Sequence, residues 1–507
     1  MRTRILVRNL AASEHSQPGR RGQPVVRKDV PHRPMHAKPV AVLAILAVTV
    51  AAAAQRAPGT ARHGTAQYAG MRALHLCTGY FATEAPRALI DATIEANAGP
   101  APATPMRTEV DERARTVSVR YAADMPPRIA VSRAGMGCTM LPIGADVALA
   151  KQLIRVPLEA PRLDDRSWPM GDRDARAPLP ARDEAAVERV LDAAFEDEKG
   201  AYGGKTWGVV VLHDGKIVAE RYSHGFARHI AARTNSMCKS LGATLVGVGV
   251  RTGRVDLNRP APLAEWRTPG DPRGAITTDN LLRMTSGLYS DGPQDPQVEI
   301  YRSGAAIADI AARNMMDAQP GTRFVYAGTD TNLAMRGLRQ ALSEDAAYPA
   351  FPYRALLWKL GMTRTVVETD WNNDFIVSGQ CWSTARDFAR LGMLYLADGR
   401  WNGERLLPAG WTTYVSSPLS VQPKRPSIGG DAGYGAQFWL FGGMDGLPSD
   451  AFSAFGAMGQ YAVIVPSRNL VVVRRGLDHD PPFRIQKFAA DVMNAVAPQP
   501  ASRKELR

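Results

Sequence analysis

The sequence predicts an α+β fold built on one antiparallel sheet, and three observations carry that prediction. Strand-like apolar runs stand at both ends of residues 185–495, at 206–212 and 216–222 and again at 434–440, 459–465 and 470–474. The long stretch between them is mostly helical in period, with Pro and Gly breaks. The first two runs are joined by His213-Asp214-Gly215, an Asp-Gly signal for a tight hairpin, which makes the pairing antiparallel. Distant strands with helices between them close into one sheet flanked by helices, with a helical subdomain inserted.

Taken in order, the amino terminus is set apart by charge. The 507 residues are 45% hydrophobic, enough for a full core, and carry a net charge of +13. Residues 1–65 hold eleven Lys/Arg against two acidic groups, so a basic leader explains most of that charge. No basic stripe interleaved with aromatics follows, and a nucleic-acid partner is not expected. Residues 39–54 form an apolar run preceded by Lys38 and ending in Ala52-Ala53-Ala54. Spanning a bilayer takes about 20 residues, so this run fits a cleaved export signal better than an anchor. Residues 35–54 are then the signal peptide, cut near Ala54, with Met35 as the start. Residues 1–34 read as an over-extended amino terminus, or alternatively as a disordered basic tail. The mature chain is expected in the periplasm or secreted, with no integral membrane span.

Residues 55–70, rich in Ala, Gly, Thr and Arg, read as a linker. Residues 71–180 read as an accessory module with strand-like alternation at 107–121 and 128–133 and no grouping of polar residues suited to chemistry. An exported protein with Cys77, Cys138, Cys238 and Cys381 can form bridges. Cys77 with Cys138 is the expected pair, because both fall in the accessory module. Cys238 and Cys381 are expected as buried thiols. The histidines show no metal-ligand spacing, so no metal and no organic cofactor are expected.

Residues 183–197 have Val187, Val190, Leu191 and Phe195 on one helical face. After the hairpin comes Thr234-Asn235-Ser236-Met237-Cys238-Lys239, opening a helix in which Met237, Leu241, Leu245 and Val248 share a face. Asn235 or Thr234 is the expected cap. A residue three positions on lies on the same face, so the Lys239 amine reaches the Ser236 hydroxyl. Burial favours the neutral amine, and a neutral amine can take the proton that makes serine a nucleophile. Residues 276–282 start another helix with Thr277 as cap, Ile276 packed on Leu281, and Gly287 as its stop. At the carboxyl end, Ser467-Arg468-Asn469 turns between strands. Asp480-Pro481-Pro482 then precedes a helix with Ile485, Phe488, Val492 and Val496 on one face. Gly-x-Ser-x-Gly is absent.

Four motifs now stand in order: Ser236-Met237-Cys238-Lys239, residues 276–288 (ITTDNLLRMTSGL), residues 320–326 (PGTRFVY), and Gly456-Ala457-Met458-Gly459-Gln460. Together they resemble the serine beta-lactamase-like hydrolases, in the branch with 6-aminohexanoate-dimer hydrolases, family VIII esterases and class C beta-lactamases. The resemblance covers roughly residues 185–495. It implies the beta-lactamase/transpeptidase-like fold, Ser236 as acylated nucleophile, Lys239 as its activating amine and Tyr326 as proton relay. It also implies an oxyanion hole from the amides of Ser236 and Gln460, with Gly459 leaving room for substrate along the strand edge.

Two departures bear on the substrate. The tyrosine motif in the family usually has Asn or Ser two residues on, but here Ala327 and Gly328 follow Tyr326. Ala457-Met458-Gly459 also lacks the lysine that commonly binds a carboxylate in these hydrolases. The expectation is therefore a small-molecule amide or ester without a required carboxylate, ahead of a beta-lactam or D-Ala-D-Ala substrate. The rival reading is a binding protein on the same fold. Retention of Ser236, Lys239 and Tyr326 favours the enzyme.

Overall fold

A computed structural model describes residues 58–196, 200–290, 301–342, 347–422, 432–479 and 482–496. The readings for residues 1–34 and 35–54 lie outside these, as do Asp480 and Pro481 of the proposed carboxyl-terminal cap.

Helix α1 (Pro58–Ala82) opens the described chain and α2 (Arg87–Ala98) follows. The linker expected over 55–70 is thereby corrected, since α1 runs through it from Pro58 and buries Ala66, Ala69 and Leu74. Its small residues allow close packing. A Cβ on Gly70 would lie 2.6 Å from the Met140 sulfur, and one on Gly79 would lie 2.2 Å from Ile90 Cδ1. The composition that suggests flexibility is a packing surface.

Against α1 lies an antiparallel meander of β1 (Arg107–Asp111), β2 (Thr116–Arg120), β3 (Arg128–Arg133) and β4 (Gly137–Met140). The alternation of Val117 and Val119 puts both into a core with Leu74, Ala130 and Cys138. Cys77 and Cys138 form the expected disulfide, with Cα atoms 6.0 Å apart. From Pro58 onward the chain is one compact unit, and this layer packs on the rest of it, with Leu89 and Ala92 of α2 against Trp207.

Helix α3 (Ala181–Ala194) buries Val187 and Leu191. Strands β5 (Thr206–His213) and β6 (Lys216–Tyr222) meet at Asp214 and Gly215, whose φ angles of +47° and +74° are the left-handed pair a two-residue hairpin turn requires. Next come β7 (Ala232–Arg233), α4 (Met237–Arg251), α5 (Thr278–Leu282), α6 (Ile307–Ala311) and α7 (Gly328–Leu342). Thr277 caps α5 as expected, in a reciprocal pair with Asn280. The helix ends at Leu282, before Gly287, because Met284 turns left-handed with φ +57°. Strands β8 (Val366–Val367) and β9 (Cys381–Ser383) join β7 in a small sheet. Helix α8 (Ala385–Leu396), the ribbon β10 and β11 (Arg400–Trp401, Glu404–Arg405) and α9 (Trp411–Val415) lead to β12 (Gly433–Tyr434), β13 (Trp439–Leu440), β14 (Phe452–Gly456), β15 (Gln460–Val465) and β16 (Leu470–Gly476). Helix α10 (Ile485–Val496) ends the described chain.

The main sheet has the order β12-β13-β14-β15-β16-β5-β6, with each strand antiparallel to its neighbour. Strand β5 is apolar on both faces because each face meets helices. Val209 and Val211 pack with Val187, Phe488 and Val492, while Val210 and Leu212 face the core that holds Leu241, Leu245 and Phe388.

Three further expectations are corrected. Residues 434–440 are not one strand but a hairpin, because Gln437 has φ +64° and its side-chain amide donates to the Leu282 carbonyl at 2.7 Å. Strand β14 was not foreseen, since FSAFG contains no β-branched residue. Cys238 and Cys381 are not separate thiols but a disulfide with Cα atoms 5.8 Å apart. The turn before α4 lies against β9, with the Thr234 amide donating to the Cys381 carbonyl at 2.9 Å, so the two side chains meet across 143 residues of sequence.

Candidate active site

The site begins where β7 hands over to α4. Asn235 has φ +47°, a conformation asparagine tolerates better than most residues, and the turn it makes leaves Ser236 at the helix N-cap. Neither expected cap serves as one. The Thr234 hydroxyl donates to the Cys381 carbonyl at 3.2 Å, and the Asn235 amide donates to the Ala457 carbonyl at 2.9 Å. The Ser236 side chain makes no capping bond either. Its hydroxyl instead accepts from Lys239 Nζ at 3.0 Å.

Lys239 is 2% exposed and also donates to the Ser378 carbonyl at 2.6 Å. Burial lowers its pKa to about 7, because removal from water penalises the ammonium form. A neutral amine is thus accessible near neutrality. Tyr326 completes the group, with Lys239 Nζ 5.0 Å from its ring centroid. The tyrosine ring is half-buried between Tyr434 and Trp439, at centroid distances of 5.7 and 5.4 Å. Its segment is fixed by the Val325 amide, which donates to the Met284 carbonyl at 3.0 Å just before α7 starts.

Ser236, Lys239 and Tyr326 therefore come together, whereas the Cβ direction of Gly459 and the side chain of Gln460 point into a buried cluster around Arg474 and Arg475. Gly459 has φ +81°, and a Cβ there would lie 1.9 Å from Arg474 Nη1 and 2.3 Å from an Asp478 oxygen. Its missing side chain makes room for a buried ion pair. The Gln460 side chain donates to the Met458 and Gly476 carbonyls at 2.8 and 2.6 Å and accepts from Arg475 Nε at 2.8 Å. The glycine that closes on the serine is Gly456. A Cβ on it would lie 2.1 Å from the Thr234 carbonyl oxygen and 3.0 Å from the Ser236 amide nitrogen. In the sequence Gly456 stands only as the first residue of the fourth motif, and Ser378 carries no signal there because only its backbone carbonyl is used. Among the described residues, no group of three or more His, Cys, Asp or Glu side chains could hold a metal ion.

A serine hydroxyl held by a buried amine, next to a tyrosine and a strand end, can attack an acyl carbon and hand its proton to a neighbour. The beta-lactamase family model matches residues 191–474, more than half of the chain. The chain belongs to the beta-lactamase family. Within it, the 6-aminohexanoate-dimer hydrolase of Paenarthrobacter ureafaciens is 26% identical over 302 residues, covering 54% of this chain and 73% of that protein. A solved structure from Bacillus anthracis, assigned to the 6-aminohexanoate-dimer hydrolases, superposes with a TM-score of 0.50 at 22% identity, covering 69% and 90% of the two chains. A family VIII carboxylesterase superposes with a TM-score of 0.50 at 16% identity, covering 63% and 98%. The two superpositions show the shared fold. The beta-lactamase-type domain thus includes α4, α7 and the main sheet, while α1 to β4 lie before the matched residues.

Proposed function

We propose that this member of the beta-lactamase family is an exported serine hydrolase that cleaves an uncharged amide or ester. The observation that carries the reading is the Lys239 to Ser236 hydrogen bond at 3.0 Å from an amine whose pKa burial lowers to about 7. Lys239, with Tyr326 beside it, takes the Ser236 proton as the oxygen attacks the acyl carbon. The negative oxygen of the tetrahedral intermediate is held by backbone amides. One is that of Ser236, at the start of α4. For the second, Ala457 is better placed than Gln460, since it follows the glycine that abuts the serine turn. Collapse of the intermediate breaks the amide or ester bond and expels the amine or alcohol, which takes the proton held by Lys239; water then attacks the acyl carbon, releasing the acid and returning a proton to Ser236.

The substrate class rests on the absence of a lysine before Gly459 in Ala457-Met458-Gly459. Export is supported by the two disulfides, which persist in oxidising compartments. Among the described residues, no helix is long and apolar enough to cross a membrane.

The deciding experiment is the intact mass after exposure to a fluorophosphonate, with Ser236→Ala alongside. A single adduct on the wild type and none on the variant is the expected outcome. A folded wild type that stays unmodified would replace the hydrolase by a binding protein on the same fold.

A further inference from the structure

We infer that His75, on the amino-terminal helix α1, is a positioning residue for the active site and acts through Arg233 and Asn235 on the strand end that faces Ser236. This inference rests on the hydrolase reading and adds to it a residue that lies outside the beta-lactamase match. The links are direct. Arg233 Nη1 lies 2.5 Å from His75 Nε2, and Arg233 Nε donates to Asn235 Oδ1 at 3.0 Å. Asn235 Nδ2 then donates to the Ala457 carbonyl at 2.9 Å.

Each link has a definite direction. A guanidinium has donors only, so Nε2 of His75 is the acceptor and the ring proton sits on Nδ1. His75 is fully buried and neutral, and its ring meets Trp382 of β9 edge-on at 5.7 Å. Arg233 is held on one side by His75 and presents its Nε to Asn235 on the other. That bond fixes which end of the Asn235 amide is oxygen and which is nitrogen. The nitrogen end is left to grip Ala457, immediately after the Gly456 that touches the Ser236 turn.

The consequence is geometric. Asn235 holds a left-handed backbone next to the nucleophile while its side chain ties β14 to that same turn. Alongside the close approach of Gly456, the Asn235 side chain therefore helps to hold the separation between the amides of Ser236 and Ala457, and that side chain is oriented from α1. Loosening it should slow formation of the charged tetrahedral species more than it weakens substrate binding.

Asn235→Asp tests the grip. Aspartate keeps an oxygen for Arg233 but has no N–H for the Ala457 carbonyl. The expected result is at least a tenfold slower fluorophosphonate labelling of Ser236 and a matching fall in kcat, with KM within about twofold. Should that variant fail to fold, Asn235→Gly accepts the left-handed backbone and carries the same expectation. His75→Ala tests the origin of the chain, with a smaller fall that His75→Gln largely restores through its side-chain oxygen. In an Asn235→Gly background, His75→Ala should have no further effect on kcat. Wild-type labelling and turnover in folded Asn235→Asp, or full additivity of the two substitutions, would overturn the inference while leaving the hydrolase reading intact. A folded wild type that does not label would overturn both.

Discussion

On the proposed mechanism, the single buried side chain of Lys239 sets the conditions under which the site can work. Only its uncharged form can accept the Ser236 proton, and burial brings that form within reach at a pKa of about 7. Activity should therefore climb as pH rises through about 7 and level off above it. A kcat/KM profile flat across neutral pH would remove Lys239 as the base. Lys239→Met should lower kcat by about 10²- to 10⁴-fold, the usual range for a lost general base, in a protein that remains folded by circular dichroism. The Ser236 and Lys239 pair was legible in the sequence because three residues along a helix determine their proximity. Ser378 was not, for its carbonyl comes from 139 residues away and any residue type supplies one.

At the level of elements, the site depends on how closely the end of β14 and the turn before α4 approach. Gly456→Ala would place a methyl group 2.1 Å from the Thr234 carbonyl oxygen, so strand and turn must part. Both labelling of Ser236 and thermal stability should fall, read by adduct mass and by calorimetry. Arg475 holds the same region from behind. It donates to the carbonyls of Ala232 and Arg233 at 2.9 Å, to that of Ser383 at 2.5 Å and to the Gln460 side chain, and so ties β7 and β9 to the main sheet. Arg475→Met would leave several buried acceptors without a donor, at a cost of about 2 to 4 kcal/mol. Urea unfolding measures it, and an unchanged midpoint would show that the region relaxes around the loss. The hairpin at Asp214-Gly215 and the cap at Thr277 were readable because their chemistry is local. Strand β14 and the 434–440 hairpin were not, since neighbours across the sheet and the grip of Gln437 on α5 decide them.

For the whole molecule, the amino-terminal layer is the least legible part. Its residues looked like a linker and a separate accessory module, yet α1 is buried on small residues and reaches Arg233, which bonds Asn235 next to Ser236. Composition alone does not distinguish a flexible Ala/Gly stretch from a tightly packed one. Its disulfide was foreseen, because pairing within one module needs no knowledge of the fold, whereas Cys238 with Cys381 required the contact between α4 and β9. Replacing Cys77 and Cys138 by Ala should cost about 4 kcal/mol on loop entropy for a separation of 61 residues. A lowered melting temperature of the double variant against the wild type is the expected reading. An unchanged one would mean that the packing of α1 carries the layer unaided.

The pairing of β5 with β16 has a consequence in time. His213 lies opposite Leu470, about 260 residues later, and at synthesis rates of about 5 to 20 residues per second the wait between them is about 13 to 50 s. Throughout that interval the β5–β6 hairpin has been made, but the strand it must join does not yet exist, and its edge stays open to any other unpaired strand. Slower elongation lengthens that exposure and should lower the folded yield.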